Sequence, residues 1–277
     1  MAFALGLAAL ILALVLLLWL FLILPRIAGR ADTDLIRCDY AHRGLWGNGI
    51  PENSLAAFAA AVRGGYGIEL DLQRSKDGVV MVFHDNDLRR LCGVNARIGE
   101  LSYTELKRLH LCGTAETIPT LSEVLSLVKG RVPLMLEIKG EQADPILCQQ
   151  VVRLMDAYMG PFGIVSFSPL ILRWFKQYRP TYARGQLLTR VTHHQRKGSR
   201  AVNFLLSHML LNFLSRPDFI SVNKRYRHRP VLRLCHRFLH IPCFVWTARS
   251  KQEHRQYRKQ GWFCIFERPQ PQHGPSQ

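Results

Sequence analysis

The chain has 277 residues, 48% of them hydrophobic, and a formal net charge of +17. That apolar content is ample for a core and excludes a disordered chain, while the length allows one large domain or two small ones. Its seven cysteines are odd in number and show no CxxC spacing, which argues against a disulfide framework and a zinc module and fits reduced, mostly buried thiols.

Ala2 to Leu24 runs 23 residues without a charge and as a helix would span about 34 Å, enough for a bilayer core. No basic segment precedes it, the run is too long for a signal peptide, and no small-residue cleavage site follows cleanly, so residues 1–25 read as a transmembrane anchor. Arg26, Arg30 and Arg37 follow the span, and the positive-inside rule then places the bulk of a single-pass protein on the cytoplasmic side of the cell membrane. Residues 26–37 form a juxtamembrane linker, 38–269 one folded domain and 270–277 a loose polar tail.

In the folded domain, strand-like runs alternate with helical patterns. Strands are expected at Cys38 to His42, Gly67 to Gln73, Val79 to His84, Pro133 to Lys139, Gly163 to Phe167, Arg184 to Leu188, Phe219 to Val222, Cys243 to Thr247 and Trp262 to Phe266. Helices fall between most of them, at Ser54 to Arg63, Tyr103 to Leu109, Leu121 to Val128, Pro145 to Met159, Pro169 to Tyr178, Val231 to Phe238 and Lys251 to Lys259. This alternation predicts an α/β fold, a (β/α)8 TIM-type barrel preceded by one transmembrane helix. Nine strands exceed eight staves, and the turn "SKDG" at Ser75 to Gly78 joins the second and third as a hairpin. No glycine-rich nucleotide loop follows any strand.

"AVNFLLSHMLLNFL", Ala201 to Leu214, stands outside the alternation: too short to span a bilayer, it is expected as a helix buried in the core, with a place in the lipid interface as the alternative. It lies in a strongly basic half. Between Arg184 and Lys259 there are seventeen Lys or Arg against Asp218 and Glu253, a balance of +15. Such a field favours an anionic membrane surface, where each basic residue adds about 1 kcal/mol. Nucleic acid is not expected, because no nucleic-acid-binding motif accompanies the charge.

In "GIELDLQR", Ile68, Leu70 and Leu72 occupy one face of a strand and Glu69 and Asp71 the other. On an ordinary half-buried strand the acids would be its wet side. In a barrel the apolar face packs under the helices and the acids point inward, where they repel each other unless a cation neutralises them. "PLMLEIKG" adds Glu137 on the same kind of face, and three hard carboxylates suit Mg2+ or Ca2+ rather than zinc. His42 and His84 end strands and form an acid/base pair, Arg43 offers a forked phosphate donor and Lys139 a point charge. A single histidine is more often structural, so it is the set that carries weight.

"AHRG", "PENSLAAF", "IELDLQRSKDGVVMVFHD" and "LMLEIKG", in this order, resemble the signature of the glycerophosphodiester phosphodiesterase family, within the phospholipase-C-like phosphodiesterase superfamily. The likeness is strong from Tyr40 to Gly140 and continues faintly in "VSFSP" and "FVWTAR". It implies metal-dependent hydrolysis of glycerophosphodiesters to an alcohol and glycerol 3-phosphate, with Glu69, Asp71 and Glu137 on the metal, His42 and His84 as acid and base, and Arg43 and Lys139 near the phosphate. Trp246 is expected to line the alcohol pocket. Glu52 is left as a group behind the site, and Asn53 reads as the cap of the following helix. The family's usual "WTVN" and "TD.P" stand here as Trp246 to Arg249 and Phe266 to Pro269, which bears on substrate choice. Alternatives are a lysophospholipase D acting on membrane lysophospholipids and, from another class, a non-catalytic adaptor for anionic lipid or nucleic acid.

Overall fold

Eight of the nine expected strands alternate with helices and close on one another. A computed structural model describes residues 1–26, 35, 38–189 and 200–267; most of the linker, the tail, and Arg30, Arg37, Arg196 and Lys197 lie outside them. The described elements are α1 (Ala2–Ile23), β1 (Tyr40–His42), α2 (Leu55–Arg63), β2 (Gly67–Arg74), β3 (Val80–Val82), α3 (Arg89–Cys92), α4 (Tyr103–Leu106), α5 (Leu121–Val128), β4 (Leu134–Ile138), α6 (Pro145–Met155), β5 (Phe162–Ser166), α7 (Pro169–Tyr178), β6 (Ala183–Leu188), α8 (Arg200–Ser207), α9 (Asn212–Ser215), β7 (Phe219–Asn223), α10 (Pro230–Arg237), β8 (Cys243–Ala248), α11 (Lys251–Lys259) and β9 (Phe263–Phe266). Strands β1, β2, β4, β5, β6, β7, β8 and β9 pair in parallel and β1 also pairs β2, which shuts the barrel. Strand β3 folds back antiparallel on the end of β2, as the "SKDG" turn requires.

The strand alternation sorts side chains as a closed sheet demands. Ile68, Leu70, Leu72, Leu134, Leu136 and Ile138 face the helices in the main core, while Tyr40, Met135, Val165, Leu187, Phe219, Phe244 and Ile265 fill the interior. Near the strand starts, the ring of Phe219 lies over Gly163 and Gly185, with Phe244 5.4 Å away between their centroids. A Cβ on Gly185 would sit 2.2 Å from Cε2 of Phe219.

Helix α1 is the one described helix long and apolar enough to cross a membrane. The segment 201–214 is not one buried helix. Met209 takes a left-handed turn (φ 60°) that divides it into α8, with Val202 and Phe204 exposed, and α9, which packs beneath α1. The expectation of core burial holds for Met209 and Asn212 and fails for α8.

Replacing Gly185 with Ala should destabilise the protein by about 1–3 kcal/mol, because Phe219 has no free volume to move into; thermal unfolding would measure this.

Candidate functional site

Register brings the acids together. His42 on β1 pairs Glu69 on β2, and Asp71 two residues further pairs Glu137 on β4. All three acids are buried, and one oxygen from each lies within 4.8 Å of the others. Positive groups surround them. Lys139 Nζ is 2.7 Å from Asp71 Oδ1 and 2.6 Å from Glu137 Oε1, Arg43 Nε is 3.5 Å from Asp71 Oδ2, and the Arg43 backbone N–H donates to Glu69 Oε2.

Burial pushes Glu69 well above the carboxylate range, with the charges of Asp71 and Glu137 adding to it. Burial likewise raises Glu137, to about 7, against the pull of Lys139. Asp71 is the exception: burial would raise it, but Lys139, His84 and Arg43 hold it far below the usual range. The interior thus favours one carboxylate and resists three. Asp71 Oδ1 is buried and faces the Lys139 ammonium. An all-oxygen donor set of this kind fits a hard divalent cation held by Glu69, Asp71 and Glu137.

Each histidine is held through Nδ1 by a carboxylate. His42 Nδ1 is 2.5 Å from Glu267 Oε1, and its Nε2 lies 3.8 Å from Glu69 Oε2. Glu267 Oε2 accepts from Arg249 Nε at 3.0 Å. Burial opposes the charge on Glu267, yet the bond to His42 and the nearby Arg249 bring it down to about 2. His84 Nδ1 is 2.7 Å from Asp85 Oδ1; burial pushes its imidazole down, aided by Lys139 and Arg43 and opposed by Asp71 and Asp85.

Asp85 accepts from Arg90, Arg90 donates to Glu52, and Glu52 accepts from Arg43 Nη1 at 2.7 Å. One ionic chain therefore links His84 to Arg43. Asn53 differs from its expected part: Ser54 caps α2, accepting from the Ala57 N–H, and Asn53 Nδ2 donates to Asp71 Oδ2 at 2.8 Å. Arg43 (φ 60°) and Asn53 (φ 53°) are both left-handed, and the Asn53 N–H donates to the Arg43 carbonyl. This is local strain of the kind found at functional sites.

Beside the acids opens a cavity of about 750 Å³ bordered by His84, Glu137, Lys139, Gln186, Leu206 and Trp246. Trp246 Nε1 and Gln186 Oε1, on two of these residues, are buried with no partner among the described residues, a donor and an acceptor still unsatisfied. All eight residues expected from the sequence thus meet at one end of the barrel. Glu267, Asp85, Arg90 and Arg249 were not expected; "FHD" placed Asp85 beside a singled-out histidine, whereas Arg90 carries no local signal. A second buried cluster, Asp39, His254 and Cys264, is satisfied internally: Asp39 bonds His254 Nε2 at 2.6 Å and accepts the Cys264 N–H.

Residues 42–267 match the glycerophosphoryl diester phosphodiesterase family model. A glycerophosphodiester phosphodiesterase of Caldanaerobacter subterraneus is 33% identical over 159 residues, which cover 53% of this chain and 65% of that protein. The rat protein lysophospholipase D GDPD1 is 36% identical over 132 residues, 43% of this chain and 40% of its own. The chain thus spans less than two thirds of the length of these relatives. A phosphodiesterase of Oleispira antarctica, solved with the product sn-glycerol-3-phosphate, shares the fold at a TM-score of 0.67 and 24% identity, over 82% of this chain and 91% of that one.

Because Glu137, at about 7 without a cation, and Glu69 must both be ionised to ligate, Mg2+ or Ca2+ should bind more tightly as pH rises from 6 to 8. The affinity should gain up to about tenfold per pH unit for each proton released. Calorimetric titration at several pH values checks the slope.

Proposed function

This chain belongs to the glycerophosphoryl diester phosphodiesterase family, and we propose that it hydrolyses glycerophosphodiesters to an alcohol and glycerol 3-phosphate. The observation that carries this is the meeting of three buried acids with two imidazoles, each held at Nδ1 by its own carboxylate. A Mg2+ or Ca2+ ion on Glu69, Asp71 and Glu137 would supply Lewis-acid polarisation of the phosphoryl oxygens.

The protein's own groups do the rest. Arg43 and Lys139 bring fixed positive charge to the phosphate without reorganisation. With Nδ1–H donated to Glu267, His42 keeps Nε2 as its free basic nitrogen, and Asp85 leaves His84 in the same state. One imidazole accepts the proton of the attacking hydroxyl and the other protonates the departing alcohol. Trp246 Nε1 and Gln186 Oε1 orient the alcohol end in the cavity. A non-catalytic adaptor would gain nothing from two imidazoles so oriented around buried acids.

The cavity wall formed by Phe167, Leu187, Leu188, Leu206 and Trp246 favours a second substrate class, lysophospholipids, in line with the name of the rat relative. The reading also makes α1 an anchor with the barrel in the cytoplasm, since Arg26 follows the span. Ile23 is fully buried and its carbonyl accepts from Asn212, so loss of α1 would uncover part of the fold, which counts against a cleaved signal.

Chelator should abolish turnover of glycerophosphocholine. His42→Ala and His84→Ala should each lower kcat by about 10²–10⁴-fold while calorimetry still detects the cation, whereas Glu69→Gln should lose both. Glu267→Ala should lower kcat by about 10–100-fold with KM little changed; an unchanged kcat would remove Glu267 from the machinery.

A further inference from the structure

The last turn of α1 is built into the barrel rather than tethered to it. The Arg26 N–H donates to the Pro217 carbonyl, Arg216 donates to the carbonyls of Phe21 and Leu24 and lies 4.5 Å over the Phe21 ring, and Asn212 donates to Ile23. These contacts seat the end of α1 along residues 212–217, and the chain leads back from there through the turn at Met209 to α8, whose Leu206 borders the cavity.

The exposed apolar run Ala2 to Leu18 passes straight into Trp19 and Leu20, which already pack on the core. With no polar spacer between run and docked turn, a bilayer that takes up the run comes against the barrel itself. Joined to the docked segment at Met209, α8 exposes Val202 (41%) and Phe204 (56%), large apolar groups that water would not favour. Around the docked turn, Arg173, Arg216 and Arg26 reach the surface beside Lys176 and, with the buried Arg184, are crowded enough that their charges, after burial, push the Lys176 ammonium down. Such a cation cluster is complementary to anionic headgroups.

We propose that α8 is a second membrane contact, seated with Val202 and Phe204 in the headgroup zone of an anionic bilayer, and that it holds the mouth of the cavity open toward lipid. The proposal rests on the reading of α1 as an anchor. It makes an amphiphile with one acyl chain, drawn laterally from the bilayer past Leu206, the substrate this geometry serves best.

The full-length protein, reconstituted in phosphatidylglycerol/phosphatidylcholine vesicles, separates the possibilities. Val202→Asp and Phe204→Asp should each lower kcat/KM on bilayer lysophosphatidylcholine by about tenfold or more and change turnover of soluble glycerophosphocholine less than about twofold. Equal loss on both substrates, or no loss on either, would overturn the proposal. Independently of turnover, Phe204→p-benzoylphenylalanine should photocrosslink to lipid. Crosslinks only between chains, or none, would overturn it as well. Lipid crosslinks from the p-benzoylphenylalanine variant together with a wild-type protein that hydrolyses neither substrate would retire the enzymatic reading and leave the membrane contact standing.

Discussion

Three acids within 4.8 Å of one another inside a closed sheet set the terms for everything near them. At an effective dielectric constant of 20, each ionised pair at that distance repels by about 3.5 kcal/mol. Three pairs come to about 10 kcal/mol, comparable to the whole stability of a domain. Lys139 and Arg43 supply two positive charges and Asn53 a donor, which secures Asp71 but leaves Glu69 and Glu137 pressed toward protonation. The balance is short of positive charge, and a divalent cation is the simplest group that completes it.

The remaining site residues are arranged in two arms around that centre. One runs from His84 through Asp85, Arg90 and Glu52 to Arg43; the other runs from His42 through Glu267 to Arg249. Each arm contains an arginine more exposed than the acid it serves, Arg90 on Glu52 and Arg249 on Glu267, so each of these carboxylates is stabilised from the solvent side without bringing water to the centre. Two of the four positions where the chain departs from the family's usual closing motifs, Arg249 and Glu267, contact each other. A longer carboxylate that reaches His42 and a cation that steadies it form one unit, and this places the departures behind the chemistry as well as beside the substrate.

What the sequence made legible was whatever depends on neighbours along a strand. The alternation in "GIELDL" and "LMLEI" fixed which acids face inward, and the "SKDG" turn marked a hairpin between the second and third strands, of which the structure leaves β3 outside the barrel. The family likeness then tied the acids to His42, His84, Arg43 and Lys139. Contacts made by barrel closure were not legible: Glu267 lies 225 positions from His42, and only the meeting of β9 with β1 joins them. Asn53 misled because a residue before a serine-led helix reads as a cap, while its left-handed backbone turns the side chain toward Asp71. The stretch 201–214 misled because a continuous apolar pattern does not reveal a left-handed turn at a residue such as Met209.

The two ends of the barrel handle buried polarity in opposite ways. At the strand starts, Tyr40, Phe219 and Phe244 plug the interior edge to face, and the buried Asp39 is bonded by both His254 and the Cys264 N–H. At the strand ends lie the left-handed Arg43 and Asn53, the unmatched charge and the unpartnered Trp246 Nε1 and Gln186 Oε1. Local unfavourable terms of this size persist only where surrounding structure over-determines them. Parallel pairing of β2 with β1 and β4 is what keeps the three acids together, and without that register they would separate until each could be solvated. The closed sheet is therefore what sustains the crowded charge at its reactive end.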